Sequence, residues 1–337
     1  MKQKTEALKQ EGTQKNKKKS FWSKYFSSFF IIAGFLWIGW LLLNNAEEVV
    51  NQFTGNSLRW VVISLMIGTI SLLHNGVIFH VLLNTHTKKK YSVTYTNQLF
   101  FIGQMIRHMP GRFWGVVYQV NETKKEIPPI VLVKVNIDYT LISMAFSLLL
   151  SAAIVFYFLI HPFIALICLL IGIGFLAIAL HFNWLQYLME LCQSWLPRHI
   201  YERISPYLKE YVATYTWKRI AILMILLIST WFFYLIAWQT FKMIYPALSN
   251  VNLYMIVAAY SAAWAVGFFA MLTPAGLGVR EVVFVFLSAP VALSGDTAFL
   301  AIFVRVWLLV IDVILFLIFW IAKLISSGRR YAKTTGL

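Results

Sequence analysis

Ionisable side chains are scarce in this chain, so the few that fall inside apolar runs carry most of its chemical information. They are Arg107, Arg112, Lys134, Asp138, Arg280, Glu281, Arg305 and Asp312, a set in which cations outnumber anions. Surplus positive charge in a low-dielectric setting seeks an anion, and the planar fork of arginine suits bidentate phosphate contacts. Two helix breaks lie beside these residues. One is Pro110-Gly111, followed by Arg112 and Trp114; the other runs Pro274-Ala275-Gly276-Leu277-Gly278 into Arg280 and Glu281. Inside a bilayer, non-helical backbone is tolerated only where protein or a water-filled cavity satisfies it. Ionisable residues at that depth usually mark a pathway or a binding site. Gly-containing breaks also present backbone N–H groups at helix N-termini, which favour phosphate. The expected chemistry is therefore binding of a lipid phosphate headgroup by Arg112, Arg280, Arg305 and Trp114. Glu281, Asp138, Asp312 and Lys134 would pair charges or carry coupling protons.

Plainer roles exist for each residue. Glu281 suits a helix start, and Arg280 has Asp138 or Asp312 as candidate partners. Lys134 and Asp138, four apart on one helix face, neutralise each other if Lys134 snorkels. Arg305 and Asp312, seven apart, share a face as well and would serve as an interhelical pair.

The elements that must position these groups are membrane helices. Hydrophobic residues make up 60% of the 337 positions, charged residues 12%, and mean hydropathy is +0.71. Soluble domains carry about 25% charged residues. Alternating ten-residue strand patterns are absent, which argues against an outer-membrane barrel. The fold class is all-α: a polytopic helix bundle of about seven or eight spans, each needing about 20 residues. Spans are expected at Tyr25–Leu43, Leu58–Leu83, Pro129–Ile160, Phe163–Phe182, Arg219–Phe241, Val251–Leu272 and Thr297–Ile325, with His161-Pro162 as a tight turn. Gly278–Leu293 is short and is expected to cross. Leu99–Tyr118 is expected to be re-entrant or broken on the cytoplasmic side, or else a loop with Trp and Arg anchors. An amphipathic cytoplasmic stretch, Asn183–Trp217, separates the halves.

Net charge is +16 and its distribution orients the bundle. Residues 1–24 form a basic arm expected to be disordered, 25–325 the transmembrane domain, and 326–337 a basic tail. A basic arm also suits nucleic acid, but beside a first span the positive-inside rule accounts for it, with anionic lipid as a partner and no nucleic acid. Lys88-Lys89-Lys90, the cations of 198–219 and Arg329/Arg330/Lys333 alternate with cation-poor loops. Both termini are then cytoplasmic in a multi-pass cell-membrane protein. Phe29–Leu43 continues into Asn44-Asn45 without a small-residue cleavage site, so it reads as a retained helix. Cys168 and Cys192 have no partner motif, and the seven histidines form no ligand pair, so no metal and no cofactor is expected. Nucleophile-elbow, Walker and dinucleotide motifs are absent, leaving no catalytic residue to nominate. Transport would be passive, ion-coupled or partner-driven.

The two breaks, each followed by a span with a charged pair, raise the prospect of a weak internal repeat. Interrupted helices in corresponding halves of transporters point to a substrate site. The prolines are 164 positions apart and the aspartates 174.

Thr273-Pro274-Ala275-Gly276-Leu277-Gly278-Val279-Arg280-Glu281 resembles the Pro-Gly-Gly-Leu-Gly-Val-Arg-Glu signature of the lysylphosphatidylglycerol synthase transmembrane-region family. Met109-Pro110-Gly111-Arg112-Phe113-Trp114 is similar to that family's upstream Pro-Gly-(Lys/Arg)-x-Trp motif. The likeness covers about Ser20–Ser326, and Ala275 departs from the usual glycine. It implies a flippase-like domain that moves a phospholipid or glycolipid between leaflets. In full-length members a soluble domain attaches lysine to phosphatidylglycerol. With Leu337 directly after the last helix, no such domain is expected here, and enzyme activity is not expected either. Two further expectations stay open: the membrane part of a phosphatidylglycerol lysyltransferase system working with a soluble aminoacyltransferase, and a structural subunit of cell-envelope glycan assembly working with a glycosyltransferase.

Overall fold

The apolar runs are helices, and their lengths sort into two groups. In the computed structural model, residues 57–87, 89–106, 114–123, 126–157, 162–180, 216–269 and 278–335 are described, and among them there is no strand. Five helices are long and apolar enough to cross a membrane. These are α1 (Ser57–His86), α4 (Pro129–Tyr157), α5 (Pro162–Leu180), α6 (Trp217–Ile244) and α9 (Ser294–Thr335). Four are shorter: α2 (Val93–Ile106), α3 (Trp114–Glu122), α7 (Leu253–Phe269) and α8 (Val279–Ser288). The chain is a polytopic membrane helix bundle.

Side-chain contacts fix the direction of each helix. At one end, Ser57 Oγ donates to the Ile244 carbonyl (3.1 Å) and Tyr245 Oη donates to Asp296 Oδ1 (2.8 Å). The start of α1, the end of α6 and the start of α9 therefore meet there. At the other end, Lys89 reaches Glu126 (3.1 Å) and Lys323 reaches Glu122 (2.8 Å). The end of α1, the end of α3, the start of α4 and the late part of α9 gather at this basic end. Lys90 belongs to it too, its ammonium pushed below the ordinary lysine value by burial and then by Arg219 at the start of α6.

The short helices pack in antiparallel pairs. Gln119 Nε2 of α3 donates back to the Leu99 carbonyl of α2 (3.4 Å), and a Cβ on Gly103 would sit 3.2 Å from the Gly115 carbonyl. These contacts run antiparallel, so α2–α3 is a hairpin open toward the basic end. The α7–α8 pair is built the same way from the opposite end: Gly267 lies against Arg280, and Tyr260 packs edge-on to Phe284 (5.4 Å). Ten residues of α8 rise about 15 Å, half of a hydrocarbon core. The segments expected at Val251–Leu272 and Gly278–Leu293 are thus the antiparallel helices α7 and α8. Two crossings and one hairpin have the same parity, so loop charges could not separate them.

Helix starts repeat. Val93 to Leu253 is 160 positions, and Pro129 to Ser294 is 165. The lengths follow the same order: long, short, short, long. α2 packs on α9 as α7 packs on α4, and α1 pairs antiparallel with α6, Ser71 Oγ donating to the Thr230 carbonyl (2.8 Å). Inverted hairpins in two related halves are a transporter architecture.

Water provides no drive between helices in lipid, so close packing and interhelical hydrogen bonds hold the bundle. Ser147 and Ser151 of α4 donate to the Ser261 and Ala258 carbonyls of α7 (2.8 and 2.9 Å). Gly68 of α1 leaves room for the Trp307 ring, whose Nε1 donates to Ser64 Oγ (3.1 Å). Between α6, α7, α8 and α9 lies an aromatic core of Trp238, Phe241, Tyr260, Phe284 and Trp307. α9 runs past the expected Ile325 to Thr335, so the basic tail continues its helix. The basic arm 1–24, the span Tyr25–Leu43 and residues 183–215 lie outside the described residues.

Candidate functional site

The site is organised by how α8 begins. Gly278 takes φ 83°, in the left-handed region where a Cβ is penalised, and turns the chain into α8. Glu281, three residues on, folds back so that Oε2 accepts the Gly278 N–H (2.8 Å). That satisfies one of the orphan donors of a helix start, and places a carboxylate where the helix dipole favours it. Its other oxygen, Oε1, accepts from Arg305 of α9 in a salt bridge. Glu281 is buried, and the Arg305 side chain is 25% exposed. One carboxylate therefore caps α8 and ties it to α9.

Arg280 points elsewhere. Its guanidinium donates from one terminal nitrogen to Tyr260 Oη (3.2 Å) and lies 5.9 Å from the centre of that ring. Its Nε is buried without a hydrogen-bond partner, and among the described residues Arg280 forms no salt bridge. Gly267 of α7 permits the approach, since a Cβ there would stand 3.0 Å from Arg280 Cβ. Glu281 thus pairs with Arg305, while Arg280 beside it bonds Tyr260. Among the described residues the cluster holds two guanidiniums and one carboxylate, with Arg280 Nε left over as a donor.

The second cluster stands at the basic end. Lys134 and Asp138 pair as their spacing suggests, Nζ to Oδ2 at 2.6 Å. His86 of α1 joins them, its Nε2 3.1 Å from the same oxygen, and Asp138 is fully buried. Two residues earlier on α4, Asn136 Nδ2 donates to Gln119 Oε1 of α3 (2.7 Å).

The expected residues are therefore divided between places. Arg280, Glu281, Arg305 and Gly278 come together; Lys134 and Asp138 form a separate group. Arg280 meets Tyr260, where Asp138 or Asp312 was the expected partner. Arg305 pairs with Glu281 across helices; Asp312, two turns further along α9, is about 10 Å away along the axis. Trp114 opens α3 with its side chain 53% exposed, and Trp264 packs in a small apolar cluster with Met144 and Ala265. Arg112, Pro110, Gly111, Pro274 and Gly276 lie outside the described residues, as does Arg107. Tyr260, His86, Asn136 and Gln119 were not nominated from sequence; each gains its role from a neighbouring helix, which no spacing along one segment reveals. Among the described residues no three His, Cys, Asp or Glu side chains gather as metal ligands would. The chain matches no family model, no curated protein and no solved structure.

Proposed function

We propose that this chain is a flippase-like membrane protein that binds and translocates a phospholipid or glycolipid headgroup, with the basic end and both termini in the cytoplasm. The observation that carries this reading is Arg280: a guanidinium with an unsatisfied Nε and, among the described residues, no salt bridge, held at the start of α8 against α7 in a membrane bundle. Intramembrane cations without partners are costly unless a ligand anion completes them. Arg280 and Arg305 contact the phosphate, Tyr260 aims Arg280, and Glu281 holds Arg305 and the start of α8. The opposed hairpins supply the elements that would alternate around such a site. The motif likeness to the lysylphosphatidylglycerol synthase transmembrane-region family supports the same substrate class.

Leaflet-resolved lipid labelling in proteoliposomes tests this. A charge-assisted hydrogen bond contributes about 1.5–3 kcal/mol, so Arg280→Ala should slow transfer about 10- to 100-fold. Transfer at the parental rate in both Arg280→Ala and Glu281→Gln rejects the site.

A further inference from the structure

Tyr260, which receives the Arg280 guanidinium, also packs on α6. The Trp238 ring lies 5.4 Å from the Tyr260 ring, and Tyr234 lies 6.1 Å from Trp238, centre to centre. Tyr234 and Trp238 are four apart, so they share one face of α6. All three rings are buried, and Phe284 of α8 and Trp307 of α9 close the group. Tyr234 also stands within electrostatic reach of both Arg280 and the Tyr260 hydroxyl.

The polar atoms of these rings set them apart from ordinary core. Buried tyrosine and tryptophan normally find partners for O–H and N–H. Here Tyr260 Oη accepts from Arg280 (3.2 Å), but its own hydrogen reaches no acceptor among the described residues. The hydrogen on Tyr234 Oη has no acceptor there either. Trp238 Nε1 approaches the Tyr234 hydroxyl without reaching hydrogen-bond geometry, and Arg280 Nε is buried without a partner. Every one of these groups is a donor short of an acceptor. The adjacent carboxylate, Glu281, has both oxygens engaged, one by the Gly278 N–H and the other by Arg305. Each phenol brings a hydrogen with the oxygen it offers, so the phenols leave the excess of donors where it was.

We propose that Tyr260 and Tyr234 donate their hydroxyl hydrogens to the same phosphodiester oxyanion that Arg280 pairs with, so that three helices, α6, α7 and α8, hold it. This rests on the headgroup reading and adds α6 to it. Arg280 is partly exposed while Tyr234 and Tyr260 are buried, so the phosphate enters along the guanidinium and its inner oxygens meet the phenols. Once Tyr234 donates to an anion, its oxygen becomes a stronger acceptor, and Trp238 Nε1 completes the chain of bonds. Phenol and indole add hydrogen bonds without adding charge.

The test titrates the full chain in detergent with short-chain phosphatidylglycerol and short-chain phosphatidylcholine, which share the phosphodiester and differ beyond it. Inorganic phosphate is the third probe. Tyr234→Phe and Tyr260→Phe keep the rings and remove one O–H each. A hydrogen bond to a charged group is worth about 10- to 100-fold in affinity. Each variant should therefore bind both lipids about 10-fold or more weakly, by the same factor, with thermal unfolding as in the parent. Fluorination of the Tyr234 ring, which makes the phenol a stronger donor, should tighten both. The same dependence with inorganic phosphate supports the contact and assigns it to phosphate as such; a dependence shared by the two lipids alone supports it for the headgroup. Parental affinity in Tyr234→Phe beside weak binding in Arg280→Ala overturns the α6 contact and leaves the headgroup reading standing. Parental affinity in Arg280→Ala, or no saturable binding of any probe by the parent, overturns both. A loss confined to one lipid, or an affinity indifferent to fluorination, overturns the phenol contact.

Discussion

Replacing Asp138 by asparagine keeps the shape of the side chain and removes its charge. The structure gives the scale of the effect. Asp138 is fully buried, the Lys134 side chain is 8% exposed, and their atoms are 2.6 Å apart. Removing one partner of a buried pair leaves an uncompensated charge and costs about 3–5 kcal/mol. Against a total stability of about 5–15 kcal/mol that is a large fraction. Lys134→Met should cost clearly less, because Asp138 keeps the hydrogen bond from His86 Nε2. The double variant Lys134→Met with Asp138→Leu removes both charges and fills the space with apolar atoms. Such replacements are often neutral or stabilising, apart from about 1 kcal/mol for the donor His86 then leaves unused. The cycle should therefore be strongly non-additive, with the double variant more stable than Asp138→Asn alone. Unfolding free energies in bicelles, by steric trapping or denaturant titration, provide the measurement. An Asp138→Asn protein within about 1 kcal/mol of the parent would refute the reasoning; so would a double variant whose loss equals the sum of the singles.

Two further substitutions probe the packing. Gly278→Ala forces a Cβ into φ 83°, so it should cost about 1–2 kcal/mol and, by tilting α8, weaken the Glu281–Arg305 tie. The same unfolding assay reads the cost, and a neutral result would mean that the turn tolerates side chains. Gly68→Leu and Gly174→Leu make a matched pair: a Cβ at Gly68 overlaps the Trp307 ring, while nothing lies within 4 Å of one at Gly174. Thermal aggregation in detergent should drop sharply for the first and stay at the parental value for the second.

The helices were legible because apolar length is a local property. Leu58–Leu83 became Ser57–His86, Pro129–Ile160 became Pro129–Tyr157, and Phe163–Phe182 became Pro162–Leu180. The pairing of Lys134 with Asp138 was legible for the same reason, since four residues on a helix are neighbours. Gly278 was visible as a break, and Glu281 as a residue that suits a helix start. What was hidden depends on other segments. Arg305 takes its carboxylate from α8 and not from Asp312 on its own face, and Arg280 finds a tyrosine on α7. The packing of α7 on α8 also needed contacts such as Gly267 against Arg280 to be seen.

The repeat of helix starts also changes what the charges mean. If α4 and α9 correspond at a separation of 165, the position matching Asp138 is Phe303, and the one matching Asp312 is Ser147. The two aspartates, 174 apart, therefore stand more than two turns out of register. On α3, Gly115 and Val116 occupy the places of Arg280 and Glu281. The scaffold is duplicated and the chemistry is not. Among the described residues the buried ionised groups differ between the halves: Arg280, Glu281 and Arg305 lie at α8 and α9, and Lys134, Asp138 and His86 at α4 and α1. A symmetric pair of anion sites would give a ligand equal footing in both hairpins, and equal affinity for two states shifts neither. On the proposed reading, an unequal pair lets an anion bias the α7–α8 hairpin and leave the α2–α3 hairpin unbiased, which is the asymmetry that directional movement would use.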